Sequence, residues 1–458
     1  MTNVQENKMG TMSINKLLFS MSIPMMLSML VQSLYNIIDS MFVAQINENA
    51  LTALTLVFPI QQFMIGISVG TGIGMNALLS RSLGEKNQDR VNKSAPNGIF
   101  LSIFYSILFA LFGLLFGGAF VRSQTSDPEI IAYSLEYLNV ITICSFGMFI
   151  SMIYERLLQS TGKTVYSMIC QLTGAIINII LDPILIFGLF GFPKLGVLGA
   201  AIATVIGQLM SAFVGIYLNH RKNQEITFSF KGFKPNWFII KHIYAIGIPS
   251  IIMQTIASFL TFFMNKLLIS FTPTAVSVFG IYFRLQSFVF MPVFGLNNGM
   301  VPIIAYNYGA KNKKRIIDTL TLSIITAVFI MLVGLAIFQL IPSQLLRLFD
   351  ASPQMIEIGV PALRRISLSF AFAGFSIICG SVFQALGNGF LSLLTSITRQ
   401  VIFILPLAYI FGHFFGLNAI WYAFPIAEIS ALILSGIFLK HILKTKVQVL
   451  DYESAAQV

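Results

Sequence analysis

Charged residues are scarce in this 458-residue sequence, where they make up only 10% of the total. Soluble domains carry about 25% charged residues, so this scarcity excludes a soluble enzyme. Apolar residues make up 56%, and they form long runs separated by short charged clusters. Because a membrane span needs roughly 20 apolar residues, these runs supply about a dozen spans. The sequence therefore predicts an all-α polytopic membrane protein.

Cysteine and histidine are also rare. The three cysteines, Cys144, Cys170 and Cys379, lie within apolar runs without paired spacing, so we expect small core residues and neither disulfides nor a metal site. The four histidines lie at predicted helix ends or loops on both sides of the membrane, where they do not converge. An enzyme within the membrane would need a nucleophile, metal ligands or an acid–base set near one plane. We therefore do not expect enzymatic activity. We also expect no cofactor other than a coupling ion.

The distribution of basic residues predicts the topology. With the N-terminus in the cytoplasm, 20 of the 28 lysines and arginines fall in inner segments, and only Arg122, Lys194 and Arg347 in outer ones. This matches the positive-inside rule, so we expect a multi-pass protein of the cytoplasmic membrane with both termini in the cytoplasm. The net charge of +11 therefore reflects basic residues in the cytoplasmic segments, and it does not indicate binding of nucleic acid. The predicted spans are 16–43, 50–80, 94–121, 131–158, 165–190, 196–219, 238–270, 275–305, 316–341, 356–386, 390–414 and 417–443.

The sequence repeats itself at an offset of 225 residues. Pro24 aligns with Pro249, and the turn Gly84-x-Lys86-Asn87 aligns with Gly309-x-Lys311-Asn312. Six spans per repeat is an even number, so the repeats are parallel, as in known transporter designs. Two six-helix lobes suit alternating access better than a channel. The predicted segments are an N-terminal tail 1–15, an N-lobe 16–219, a linker 220–237, a C-lobe 238–443 and a C-terminal tail 444–458.

Two acidic residues inside predicted spans of the first repeat have no acidic counterpart in the second. Asp39 and Asp182 both align with apolar residues of the second repeat, so the fold alone does not require them. Acids inside spans are costly and indicate function. Tyr35 and Asn178 each precede one aspartate by four residues, so each pair shares a helix face. The four side chains predict an oxygen-rich cluster that binds Na⁺ or shares a proton.

Other polar residues within the spans are candidates for substrate contact. Glu155 lies beside Arg156, where an ion pair near the membrane surface is an alternative to a substrate site. Glu428 is a candidate for cation binding, and Arg284 either contacts substrate, pairs with Glu428 or extends to the membrane surface. Gln286, the counterpart of Gln61 in the repeat, completes the set.

The segments SLYNIIDSMFV and NIILDPILIFG, together with the turns RSLGEKN and YNYGAKN, resemble the MATE (multidrug and toxic compound extrusion) family. The resemblance is to the bacterial branch with DinF-like and MepA-like pumps. It implies the MATE fold and export of organic cations and drugs in exchange for H⁺ or Na⁺. It also implies that Asp39 and Asp182 couple to the ion, with Tyr35 and Asn178 as ligands. Thr204, in GAAIATVIG, is the best match to a further threonine ligand.

The function expected from these observations is secondary active multidrug efflux, with a role in antibiotic resistance. The expected partners are amphipathic organic cations and the lipid bilayer, and we expect a monomer. The resemblance places a possible Na⁺ at Asp39, Asn178 and Asp182. The alternative function is that of a lipid-linked precursor or polysaccharide flippase of related fold. The sequence does not specify the substrates, the ion or the stoichiometry.

Overall fold

The structure, a computed structural model, describes residues 7–450, apart from the side chains of Ser40, Ala44 and Glu48. Every regular element in this range is helical. The α-helices are α1 (Lys8–Thr11), α2 (Ile14–Ala44), α3 (Glu48–Gly84), α4 (Gln88–Arg122), α5 (Pro128–Ile143), α6 (Phe146–Ser160), α7 (Thr164–Phe187), α8 (Val197–Lys222), α9 (Trp237–Ile269), α10 (Pro273–Gly309), α11 (Lys313–Leu340), α12 (Pro342–Arg347), α13 (Pro353–Ser367), α14 (Phe370–Ala385), α15 (Gly389–Ile397), α16 (Leu405–Phe415), α17 (Leu417–Ile420) and α18 (Ala423–Ile442). A 3₁₀ turn, Leu189–Gly191, and two π-helical segments, Thr398–Ile404 and Leu443–Val447, complete the chain.

Among the described residues, 10 helices are long and apolar enough to cross a membrane, or up to 12 if each of two bent pairs is one span. The predicted spans 131–158 and 356–386 each correspond to two helices that meet at a bend. α5 and α6 are bent by 45°, and α13 and α14 by 50°. In the second bend, the Ser369 hydroxyl donates to the Ile366 carbonyl at 2.7 Å. Such side-chain bonds to the backbone compete with the helical ladder and bend the helix.

The turns that join α3 to α4 and α10 to α11 share one conformation. Lys86 and Lys311 both adopt a left-handed backbone with φ of 56°. The backbone N–H of Asn87 donates to the Ser82 carbonyl at 3.0 Å, and that of Asn312 donates to the Asn307 carbonyl at 2.8 Å. Each asparagine side chain then caps the following helix. The predicted repeat is therefore present in the local structure at the predicted spacing.

The chain divides into two compact units, one formed by Leu27–Gly247 and the other by the described residues on either side of that range. The boundaries cut α2 and α9, the first long helix of each repeat, so sequence repeats and compact units are different divisions of the chain. Within the unit Leu27–Gly247, a core of buried side chains surrounds Val43, Val57 and Ile186. Val43 and Ile186 follow Asp39 and Asp182 by one turn, so this core positions both aspartates.

Candidate functional site

α7 carries two of the predicted site residues and has a firmly fixed end. Gly188 ends the helix in the left-handed conformation, with φ of 74°, which glycine adopts without a steric penalty. Leu195 and Gly196 then donate backbone hydrogen bonds to the carbonyls of Leu185 and Ile186 at 2.9 and 3.2 Å. These bonds satisfy the last carbonyls of α7. The turn that bears Asp182 is therefore held in place by the chain that follows it.

Asn178, Asp182 and Thr204 form the buried centre of the site. Asp182 is 0% exposed, Asn178 2% and Thr204 4%. In the orientation that gives both ends of its amide a partner, Asn178 donates to Asp182 Oδ2 at 2.9 Å and accepts from the Thr204 hydroxyl at 3.2 Å. Asn178 therefore connects the α7 carboxylate to α8.

The Asp39 and Asp182 carboxylates meet at this centre. They are close enough to share a hydrogen bond. In the described part of the chain, the Oδ1 atoms of both aspartates are buried and have no hydrogen-bond partner. Two ionised carboxylates this close repel strongly in a low-dielectric interior. The arrangement is therefore stable with a shared proton or with a bound cation.

Tyrosines surround the carboxylate pair. The Tyr35 hydroxyl of α2 lies within hydrogen-bonding reach of Thr204 and close to both aspartates. Tyr137 of α5 also reaches Thr204 and contacts Gln61 of α3. The structure thus brings together all five residues predicted for ion coupling, from three helices, and adds Tyr137 and Gln61. Sequence reasoning missed Tyr137 because a tyrosine in an apolar helix has the appearance of a core residue.

The site offers oxygen ligands of the kind that a hard cation such as Na⁺ accepts. The two aspartates supply carboxylate oxygens, and Asn178 and Thr204 supply neutral ones. Pro183 has no N–H, so the Ile179 carbonyl also lacks the helical donor it would otherwise have. Among the described residues, no group of three or more histidine, cysteine or acidic side chains could hold a metal ion.

Glu155 lies elsewhere in the same unit and is only 5% exposed. Its Oε2 accepts from the Gln171 amide at 2.7 Å, and its Oε1 accepts from the Ser211 hydroxyl at 3.1 Å. The neighbouring Arg156 is also buried and donates to Gln159 Oε1 at 2.7 Å. Glu155 is thus held by neutral groups of α7 and α8.

Glu428, 6% exposed, belongs to the other unit, where Arg399 donates to its Oε2 at 3.3 Å. Arg399 lies in the π-helical segment Thr398–Ile404. The predicted span 390–414 therefore contains a π-helical segment, and π-helical turns are frequent at functional sites. The two remaining substrate candidates differ in exposure, since Arg284 is exposed and Gln286 is half-buried.

Comparison with known proteins identifies the family. The MatE family model matches residues 24–184 and 249–410, together more than half of the chain. The two matches begin 225 residues apart, as the sequence repeat does. The multidrug export protein MepA of Staphylococcus haemolyticus is 28% identical over 417 residues, which cover 91% of each chain. MepA of Staphylococcus aureus strain NCTC 8325 is 28% identical over 435 residues, or 95% of each chain.

Solved structures share the fold. An outward-facing multidrug resistance MATE family transporter of the MOP superfamily superposes with a TM-score of 0.91 at 26% identity, covering 99% of this chain and 100% of that one. A MATE in the straight conformation gives the same TM-score at 25% identity, covering 98% and 99%. The expected 12-helix MATE fold is therefore confirmed. The chain belongs to the MatE family, and it is a membrane transporter of the MepA-like branch rather than an enzyme.

Proposed function

We propose that this transporter exports amphipathic organic cations in exchange for H⁺ or Na⁺, and that the ion binds between Asp39 and Asp182. The observation that carries the proposal is the meeting of these two carboxylates, each with a buried Oδ1 that has no partner in the described part of the chain. The substrate class follows from the relatives, which are multidrug export proteins.

The electrostatics of the carboxylate pair explain why it would respond to an ion. Without a cation or a proton, two negative charges would face each other in a buried site. Binding of one H⁺ or Na⁺ removes much of this repulsion, which draws α2 and α7 together. Release of the ion restores the repulsion. The spacing of Asp39 and Asp182, and with it the position of α2, therefore depends on ion occupancy.

Antiport requires that the ion and the organic cation favour different states of the protein. An ion shifts a conformational equilibrium only by its difference in affinity for the two states. We propose that ion occupancy of the site favours the state with weak affinity for the organic cation, and that the empty site favours the state with high affinity. By reciprocity, the organic cation then weakens ion binding by the same factor. This exchange is the basis of alternating access in the proposal.

Substrate contacts stay predictions at Glu155, Glu428, Arg284 and Gln286. The 20 methionines and 43 phenylalanines offer apolar surface for varied cations. Methionine suits such a role because its flexible side chain repacks around different shapes.

We also propose that both termini lie in the cytoplasm of the cell. The experiment compares labelling by a membrane-impermeant thiol reagent at Gln448→Cys and Phe190→Cys in a cysteine-free background. Both positions are exposed. We expect labelling of Phe190→Cys in intact cells and of Gln448→Cys only after lysis. The reverse pattern would contradict the topology.

The function is tested by ethidium efflux from proteoliposomes under an imposed H⁺ or Na⁺ gradient. We expect gradient-driven efflux by the wild type and its loss in Asp182→Asn. Asp89→Asn is the matched control, because Asp89 is an exposed acid paired with Lys93 at the surface. Exposed ion pairs contribute little to the stability of a protein, so Asp89→Asn should transport normally. Undiminished coupled efflux in Asp182→Asn would overturn the assignment of the site.

A further inference from the structure

A groove with polar and apolar walls lies between the first turns of α2 and α11. Its volume is about 660 Å³, which is within the usual range of ligand pockets. All of its lining residues belong to the unit formed by the described residues on either side of Leu27–Gly247, whereas the proposed ion site belongs to Leu27–Gly247. The proposed function does not use this groove.

Two cations, Lys314 and Arg315, line the groove at the start of α11. Neutral acceptors hold Arg315 in place. Its Nη2 donates to the carbonyls of Met9 and Met12 at 2.9 and 2.8 Å, and its Nε donates to Asn307 Oδ1 at 3.1 Å. These contacts orient the guanidinium group without neutralising its positive charge.

One acid, Asp318, also lines the groove and interacts electrostatically with Arg315. Two cations and one acid leave the lining with a net charge of +1. The groove therefore favours a ligand with a negatively charged group.

The equivalent turn of the first repeat has a different charge pattern. Arg90, the counterpart of Arg315, pairs with Glu85, whose Oε2 lies 2.6 Å from its Nη1. Glu85 has no acidic counterpart in the second repeat, where Ala310 takes its position. The second turn thus keeps the arginine and lacks the carboxylate that neutralises it in the first.

The residue above this arginine also differs between the repeats. The ring of Phe238 lies over Arg90, with 5.6 Å between the guanidinium carbon and the ring centroid. The counterpart of Phe238 is Ser13, a small residue that lines the groove. The first repeat forms the same turn with other side chains, so the turn itself does not require the cations or the small residue.

The groove continues from its cations along an apolar wall of α11. Leu322 and Ile325 form this wall. Ile325 follows Lys314 by 11 residues, which is about 16 Å along the helix. Half of a membrane's hydrocarbon core is about 15 Å thick. The groove therefore has the length of one lipid leaflet, with its charged residues at one end.

A second groove, of about 600 Å³, adjoins the first at α2. Asn15 lines both grooves, and Phe19 and Ile23 give the second one an apolar wall. Lys16 also lines it and adds another cation at the same end of α2. Two apolar walls thus begin beside one group of cations, which matches the two acyl chains and single headgroup of a phospholipid.

We propose that these grooves bind one anionic phospholipid, with its phosphate at Lys314 and Arg315 and its acyl chains along the two apolar walls. Basic pockets between membrane helices on the cytoplasmic side suit anionic lipids. This inference goes beyond the proposed function, and only the choice of the cytoplasmic leaflet rests on the proposed topology. The bound lipid contacts the first turns of α2, the helix that carries Asp39.

Quenching of tryptophan fluorescence by brominated lipids tests the site. Ile325→Trp places the fluorophore on the apolar wall, and the protein without this substitution gives the background of the two native tryptophans. The protein is reconstituted into mixtures of phosphatidylcholine and phosphatidylglycerol, of which one lipid is brominated. We expect phosphatidylglycerol to quench at lower mole fractions than phosphatidylcholine. Equal quenching by the two lipids at equal mole fractions would overturn the proposal.

Charge variants of the Ile325→Trp protein test the assigned residues. Lys314→Gln should reduce the preference for phosphatidylglycerol about fivefold, the effect of one lysine beside anionic lipid. Asp318→Asn should increase the preference, because it removes the acid from the lining. Lys231→Gln, the same change at an exposed lysine of the linker, should leave it unaltered. No loss in Lys314→Gln, or an equal loss in Lys231→Gln, would contradict a specific site.

Glycerol 3-phosphate distinguishes a lipid from a soluble phosphate, because it carries the phosphate without acyl chains. At constant ionic strength, we expect that it does not reverse the quenching by phosphatidylglycerol. Recovery of the fluorescence would assign the cations to a soluble anion and overturn the lipid site. Coupled efflux in Asp182→Asn tests the proposed function separately, so the failure of one can be told from the failure of the other.

Discussion

Asn178 and Asp182, one turn apart on α7, are joined by a hydrogen bond of 2.9 Å from the amide nitrogen to Oδ2. The other end of the same amide accepts from Thr204 of α8. Because α7 and α8 pack closely, the aspartate cannot move without disturbing this bridge. The bridge fixes Oδ2 of Asp182, whereas Oδ1 has no hydrogen-bond partner in the described part of the chain and is the atom to which we propose that the ion binds.

The Asn178→Leu variant should weaken ion coupling while preserving side-chain volume. It removes the donor to Asp182 Oδ2, and a hydrogen bond to a charged group contributes about 1.5–3 kcal/mol. We therefore expect the ion concentration for half-maximal ethidium efflux to change by roughly tenfold or more. Thr204→Val should have a smaller effect, because it removes only the hydroxyl donor to Asn178 and keeps the backbone N–H of residue 204, which also donates to Asn178 at 3.0 Å. Equal ion dependence in Asn178→Leu and wild type would show that the bridge plays no part in coupling.

Gly74→Ala should destabilise the fold at the contact of α3 with α9. A Cβ at Gly74 would lie 2.1 Å from the Ile243 carbonyl oxygen, so the two helices would have to separate. Overpacking of this kind costs about 1–3 kcal/mol, which should lower the thermal unfolding temperature. Gly118→Ala is the matched control, because nothing lies within 4 Å of its added Cβ. Equal unfolding temperatures for both variants would contradict the tight contact.

Glu428→Gln should destabilise the second unit by leaving Arg399 without its charge partner. Removing one member of a buried ion pair costs several kcal/mol. Arg399 is about a quarter exposed, so we expect the free energy of unfolding to fall by at most about 3 kcal/mol. In a double-mutant cycle of unfolding temperatures made from the single variants Arg399→Met and Glu428→Met, the double variant should recover much of the loss. If the double variant loses as much as the two single variants combined, the pair contributes no interaction energy.

The sequence predicted the centre of the site because acids inside apolar helices are costly. That cost singled out Asp39 and Asp182, and the four-residue spacing of a helix face added Tyr35 and Asn178. Thr204 followed from family resemblance, and it does contact Asn178. Tyr137 and Gln61 could not be assigned in this way, because their positions depend on how α5 and α3 pack against α2.

The fold was predictable in its span number and its repeat but not in its bends. Hydropathy gives the apolar length of a span. This length is the same whether or not the helix is interrupted at Ser145 or Ser369, so the bends cannot be read from it. The π-helical segment around Arg399 is likewise invisible to hydropathy. The boundary between the two compact units falls within α2, after Met26, and it depends on tertiary contacts. The part of α2 before this boundary packs against α10, where Gly295 lies close to Met26 and Gly299 lies close to Ser22.

We propose above that the ion and the organic cation oppose each other through Asp39 and Asp182. This opposition is tested by equilibrium binding of ethidium to the purified protein, measured across a series of pH values and Na⁺ concentrations. For the wild type, we expect the ethidium Kd to rise with H⁺ or Na⁺ by about fivefold or more. In Asp39→Asn and Asp182→Asn that dependence should disappear. A wild-type Kd that responds to neither ion, or an unchanged response in both variants, would show that these carboxylates do not link ion binding to ethidium binding.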